Sequence, residues 1–218
     1  MAMRKGSPPA KRRPVRQPDS SDHAKRIWKP GTMLNPVPVV MVTCMAEGHK
    51  PNIITVAWAG TVCSEPPMLS ISIREATHSY GLIKESREFV VNIPSVQETR
   101  ATDYCGVASG RQVDKFAETG LTAVPASTVN APLIAECPVN IECKTRKTVP
   151  LGSHTMFIAE VTAVQVTDQL INRAGRLALE KAGLIAFAHG RYYILGKELG
   201  HFGYSVRKKK KGKSKRSH

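Results

Sequence analysis

The chain has 218 residues, 41% apolar and 22% charged, values ordinary for a globular protein and sufficient for one good-sized domain with tails. Its net charge of +15 suggests a nucleic-acid binder until the charges are placed: residues 1–30 hold nine Lys/Arg and two Asp, and residues 206–218 hold eight Lys/Arg and no acid. The body, 31–205, carries 15 residues of each sign, which excludes a basic face as its working surface.

Residues 1–30 are rich in Pro, Ser, Lys and Arg, with Val15, Ile27 and Trp28 as their substantial apolar residues, and are expected to be a disordered basic tail. Residues 206–218, with Lys208 to Lys211 in a row, are expected to be a second. No apolar stretch follows the N-terminal charges, and no run approaches the roughly 18 to 20 apolar residues that span a bilayer. The five cysteines, Cys44, Cys63, Cys105, Cys137 and Cys143, form an odd set without a secretory signal, which points to a reduced, cytoplasmic compartment.

The body reads as mainly β with a few short helices. Val37 to Ala46 is a β-branched run interrupted by Pro38, and a turn at 47–51 leads into a strand from Asn52 to Trp58, so the two predict a hairpin. After the Pro66-Pro67 turn, Leu69 to Arg74 alternates strictly: Leu69, Ile71 and Ile73 on one face, Ser70, Ser72 and Arg74 on the other. Arg74, Thr77, His78 and Ser79 then precede an amphipathic helical run, Tyr80 to Glu85. Hydroxyls, a guanidinium and the free N–H groups of a helix start are thereby gathered at one place, which suits a phosphate.

Glu88 to Ile93 is a further strand ended by Pro94, and residues 95–120 predict one or two short helices around a Gly-containing loop. Period-two alternation predicts strands over Ala135–Thr148 and His154–Thr167, the first with Cys137, Val139, Ile141 and Cys143 on one face, the second with a slip that marks a bulge. Asn172 to Gly183 is ambiguous with a helix. Leu184 to Leu195 reads as one closing strand.

Five pieces in order, Asn52 to Trp58, Cys63-Ser-Glu-Pro-Pro67, Ser72-Ile-Arg74, Phe89 to Pro94, and Cys105-Gly106 with Ser109-Gly110-Arg111 and Asp114-Lys115-Phe116, resemble the flavin reductase-like family, which includes the flavoredoxins. The resemblance spans roughly 36–205 and implies an antiparallel FMN-binding split β-barrel over 31–205, usually homodimeric with flavin near the subunit interface. It implies that Asn52 and Trp58, with Thr55 between them on the strand, a hydroxyl from Thr77 or Ser79, Lys115, His154 and Phe187 lie around the flavin. Arg74, His78 and the same hydroxyls would serve its phosphate. Taken singly, Trp58 and Phe187 read as core aromatics and His154 as a structural histidine.

Other chemistries find little support. The body histidines are scattered and no Cys-x-x-Cys occurs, so a metal centre is not expected. Cys137 and Cys143, six apart on a strand, would stand about 20 Å from each other and could not bond. No Gly-x-Gly-x-x-Gly run marks a Rossmann domain, so a nicotinamide donor would bind against the exposed flavin face. The expected activity is transfer of electrons from NAD(P)H through bound FMN to a flavin, a metal ion or a partner protein, with no side chain acting as general acid or base. Two alternatives are a non-catalytic flavoredoxin-like electron carrier and a nucleic-acid or acidic-partner adaptor working through the basic tails, which would bind polyanions weakly.

Overall fold

The structure is a computed structural model in which residues 23–206 are described; residues 1–22 and 207–218, most of the two expected tails, lie outside the described residues. Two units are distinguished, one ending at Met33 and one beginning at Leu34. In the first, residues 24–33 carry neither helix nor strand, and Ile27 and Trp28 are exposed.

The second unit is mainly β. Its elements are β1 (Val37–Pro38), β2 (Val40–Cys44), β3 (Asn52–Val56), β4 (Ala59–Ser64), β5 (Pro67–Ile73), α1 (His78–Ser86), β6 (Glu88–Ile93), α2 (Thr99–Val107) and α3 (Lys115–Thr119). There follow β7 (Ala123–Val124), β8 (Leu133–Ile134), β9 (Val139–Pro150), β10 (Thr155–Val166), β11 (Ile185–Ala188) and β12 (Arg191–Ile194).

The main sheet is antiparallel, in the order β3-β2-β6-β9-β10-β5-β4. Its two edge strands, β3 and β4, are consecutive and separated only by Ala57 and Trp58. A chain that passes from one edge of a seven-stranded sheet to the other in two residues forces the sheet to curl until its edges meet. Ser72 N–H donates to Trp58 O at 2.9 Å across that closure, so the bent β3–β4 segment pairs with β2 by its first half and with β5 by its second. This is the split barrel.

Inside the curl, Val42, Ile71, Phe89 and Phe157 are fully buried and belong to one apolar cluster. Each such side chain contributes about 1.5–3 kcal/mol relative to exposure. The alternation expected of β5 is present: Leu69, Ile71 and Ile73 are buried, and Ser70 and Ser72 are half-buried on the opposite face. β6 and β9 are covered on both faces, because Val129, Ala131 and Leu133 pack over Val90 on the outer side. Glu142, on β9, is also fully buried. Its carboxylate accepts from the N–H and hydroxyl groups of Ser127 and Thr128 and from Gln165 Nε2, which ties the covering loop to the sheet.

Three expectations are corrected. The strand expected from Ala135 begins only at Val139, because Pro138 lacks an N–H and Cys137 N–H closes a turn onto Ile134 O. Cys137 therefore packs with Met41, Ile53 and Cys105, not on the β9 face with Cys143. Leu184 to Leu195 is a hairpin, not one strand: His189 and Gly190 both take positive φ, 48° and 79°, in the two-residue turn between β11 and β12. The 172–183 stretch contains a 3₁₀ turn at Leu179–Lys181 and no α-helix, and Gly175 and Gly183 at positive φ break any longer run. The slip expected in the 154–167 strand is real, with register shifts between Ile158 and Ala159 and between Val161 and Ala163.

Candidate functional site

β5 delivers the chain to the site. Its alternation ends at Ile73, the exposed Arg74 follows, and α1 begins four residues after it, at His78. Thr77 occupies the N-cap position, yet its hydroxyl donates backward to Arg74 O at 2.8 Å and does not cap the helix. No acidic residue stands in the first turn. The N–H groups at the start of α1 are thus left without a side-chain acceptor, an arrangement that favours an anion.

Around this helix start lies a cleft of about 240 Å³. Its walls include Asn52 from β3, Arg74, Thr77, His78 and Ser79 from the β5–α1 junction, and Lys115 from the start of α3. The cleft is closed on the far side by the end of α2 and the loop behind it, 105–110. Residues from four separate parts of the sequence therefore converge because the curl of the sheet brings β3 beside β5.

Asn52 is held rigidly. Its Nδ2 donates to Ser79 Oγ at 2.8 Å, and Gly110 lies so close that a Cβ there would stand 2.1 Å from Asn52 Oδ1. Only glycine permits that approach. Arg111 then donates from Nη1 to Ala76 O at 2.7 Å, strapping the loop after α2 to the β5–α1 turn.

Lys115 is 4% exposed, and its Nζ donates to Ile53 O and Cys105 O, both at 2.7 Å. No carboxylate pairs with it among the described residues. Burial pulls its pKa below the usual lysine value, partly opposed by the nearby Cys105 and Cys44 thiols. A buried cation of this kind, on the wall of a cleft, fits an anionic or electron-rich group placed beside it. His78 is likewise pulled down, by burial first and then by the positive charges of Arg111, His49 and Lys115. Burial pushes the Cys44 thiol up to about 12 and Cys105 up to about 11, which removes both as thiolate nucleophiles at neutral pH.

Six residues expected at the site, Asn52, Arg74, Thr77, His78, Ser79 and Lys115, meet in this cleft. The others lie beside or away from it. Thr55 faces α2, its hydroxyl donating to Thr102 O, and so anchors that helix to β3. Trp58, 40% exposed, sits at the β3–β4 bend opposite Ser72. His154 falls one register step beyond the Thr155–Ile73 pair, across from Arg74, with Nδ1 2.9 Å from Ser153 Oγ. Phe187 lies on β11 in the separate three-stranded sheet, edge-on to Tyr192 at 5.4 Å. Gly110 and Arg111 have structural roles at the cleft that spacing alone did not assign; the signal was a glycine in a polar inter-helix loop, where backbone must pass close to something.

The fold is that of a split barrel, and sequence comparison gives its family: residues 32–196 match the flavin reductase like domain. The chain belongs to that family. Flavoredoxin of Desulfovibrio vulgaris (Miyazaki F) is 35% identical and superposes with a TM-score of 0.79 over 84% of this chain and all of that one. Flavoredoxin from Methanosarcina acetivorans is 26% identical, with a TM-score of 0.76 over 84% of this chain and all of that one. By sequence, an NADPH-flavin oxidoreductase of Streptomyces viridifaciens is 25% identical over 146 residues, 65% of this chain and 74% of its own. Among the described residues no helix is long and apolar enough to cross a membrane, and no cluster of His, Cys, Asp and Glu could hold a metal ion.

Proposed function

We propose that the cleft holds FMN and that the protein is an NAD(P)H-dependent oxidoreductase passing electrons to a flavin, a metal ion or a protein acceptor. The observation that carries this reading is the convergence of an uncapped helix start, Arg74 and the buried Lys115 on one cleft beside the rigid Asn52. Bound FMN would supply the hydride and single-electron chemistry. Arg74 and the first turn of α1 hold its phosphate, Asn52 offers its amide edge, and Lys115 supplies a fixed positive charge. Thr77, with its hydroxyl committed to Arg74 O, sets the turn, and Ser79 orients Asn52.

Trp58, His154 and Phe187 complete the binding surface in this reading, with Thr55 supporting it from behind. A second subunit extends it. Tyr193, Ile194, Leu195 and Phe202 on and after the last hairpin are exposed, which supports burial of this apolar strip in a homodimer. All five cysteines are unpaired, which favours the reducing cytoplasm.

Similarity at 35% identity to a flavoredoxin favours a second reading, an electron carrier that holds FMN and does not oxidise NAD(P)H itself. Anaerobic mixing of the FMN-loaded protein with NADH or NADPH separates the two. Rapid bleaching of the flavin band is the result expected of the oxidoreductase, and a flavin that bleaches only with a reduced protein partner marks the carrier. A protein that takes up no FMN at all would defeat both.

A further inference from the structure

Lys115 carries a charge that no group around it balances. Its buried ammonium is held by two neutral acceptors, Ile53 O on β3 and Cys105 O in the last turn of α2, which engage two of its three N–H groups. The carboxylate next to it in sequence is committed elsewhere: Asp114 Oδ1 accepts from Ala117 N–H as the N-cap of α3, and Oδ2 stands 3.9 Å from Lys50 Nζ. The Cys44 and Cys105 thiols beside the ammonium are kept protonated by burial, and His78, the titratable group facing it from α1, contributes no negative charge either. The two carbonyls and the negative end of α2 offset part of the cost of burying this cation, but they are not a counter-ion.

We propose that the missing counter-charge is the one that reduction places on the flavin: Lys115 makes the protein hold reduced FMN more tightly than oxidised FMN, so the flavin stays bound through turnover and electrons leave by transfer to an acceptor, not by release of free reduced flavin. The inference rests on the cleft holding FMN. Accepting a hydride adds two electrons and one proton to a neutral ring and leaves it with one negative charge; passing two electrons on returns the ring to neutral and frees the proton to solvent. Lys115 reaches the cleft through the wall made by β3 and α2, whereas the phosphate contacts come from the β5–α1 junction. Its charge therefore acts on the ring, and the phosphate is the same in both states. An interaction made with one state and not the other shifts the equilibrium by that difference. Retention has a second support, since Arg111 Nη1, donating to Ala76 O at 2.7 Å, ties the loop that closes the cleft to the opposite wall.

The test is the two-electron midpoint potential of FMN on the full-length protein, read by anaerobic spectroelectrochemical titration against free FMN in the same buffer, for the wild type and Lys115→Met. The shift from the free value measures the ratio of the affinities for reduced and oxidised flavin, a tenfold ratio being about 30 mV for a two-electron couple. The wild type should favour reduced FMN about tenfold or more, and Lys115→Met should lose that preference. Riboflavin, which lacks the phosphate, should show the same preference on the wild type. If Lys115 only caps α2, Lys115→Met weakens both states equally and leaves the potential in place, which overturns the proposal. So does a wild-type protein with no preference or a preference for oxidised FMN, a result that needs no variant and decides the matter should Lys115→Met not fold. A preference seen with FMN and not with riboflavin would move the charge to the phosphate and overturn it as well. A protein that binds FMN in neither state would remove the reading of the cleft itself, an outcome distinct from FMN bound without preference.

Discussion

Asn52 on β3 and Ser79 in the first turn of α1, 27 residues apart, are joined by one hydrogen bond of 2.8 Å from amide to hydroxyl, and both side chains are buried. The bond fixes the amide plane of Asn52 at the mouth of the cleft and couples the helix start to the barrel wall. Ser79→Ala would leave a buried Nδ2 without its partner, at a cost of about 1–3 kcal/mol. The expected outcome is a lower urea midpoint and FMN binding weakened several-fold, with Ser79→Thr losing less. Chemical denaturation and flavin titration on the same samples check both.

Gly110 enforces the same geometry from the other side. Its missing Cβ is replaced in space by the Asn52 carboxamide, which cannot retreat without breaking its bond to Ser79. Gly110→Ala should therefore weaken FMN about tenfold and cost about 1–3 kcal/mol of stability. Gly60→Ala is the matched control, since a Cβ at Gly60 on β4 meets nothing within 4 Å. Equal flavin affinities for the two variants would show that Asn52 does not need its place.

These two contacts also mark where sequence reading ends. The strand Leu69–Ile73 and the residues behind it were legible because alternation is a local property, and the Arg74-to-Ser79 cluster followed from the strand's end and the helix's start. The Gly110–Asn52 approach was not legible, because it depends on how a loop after α2 settles over β3. The β11–β12 hairpin was missed for a different reason: His-Gly is a weak turn signal, and the β-branched and aromatic residues on both sides favour an unbroken strand. The closure of the barrel lay in plain view as two residues, Ala57 and Trp58, but only pairing of β4 with β5 shows that they cross from edge to edge.

Glu142 carries a pH signature distinct from the site. Burial would raise its pKa, but hydrogen bonds from Thr128, Gln165 and Ser127 outweigh burial and hold it down to about 2. Because the folded value lies below the unfolded one, its contribution is complete above the ordinary carboxylate pKa near 4.5 and fades as pH falls through about 2. The contribution is at most about 3 kcal/mol. Urea midpoints measured from pH 6 down to pH 2.5 should fall faster for the wild type than for Glu142→Gln, which should start less stable and stay flatter. Parallel curves would assign the acid sensitivity to other groups.

Arg74 and Cys63 give the cleanest contrast between a residue proposed to hold the ligand and one proposed to be a bystander. Arg74 follows the last strand residue and is exposed, so Arg74→Ala opens no apolar cavity and should leave the melting temperature of the apoprotein nearly unchanged. With FMN bound as proposed, its loss should be felt at the phosphate, where a charge-assisted hydrogen bond corresponds to roughly a ten- to 150-fold change in dissociation constant. Riboflavin, lacking the phosphate, should bind the variant and the wild type alike. Cys63 lies on β4 and does not line the cleft; its Sγ is directed at Glu65 O at 3.4 Å, and no second cysteine pairs with it. Cys63→Ser should keep FMN affinity within about twofold and should leave the rate of anaerobic flavin bleaching by NAD(P)H unchanged. A Cys63 variant that binds FMN but no longer bleaches would move the chemistry to the thiol, and an Arg74 variant with wild-type affinity would move the phosphate away from the β5–α1 turn.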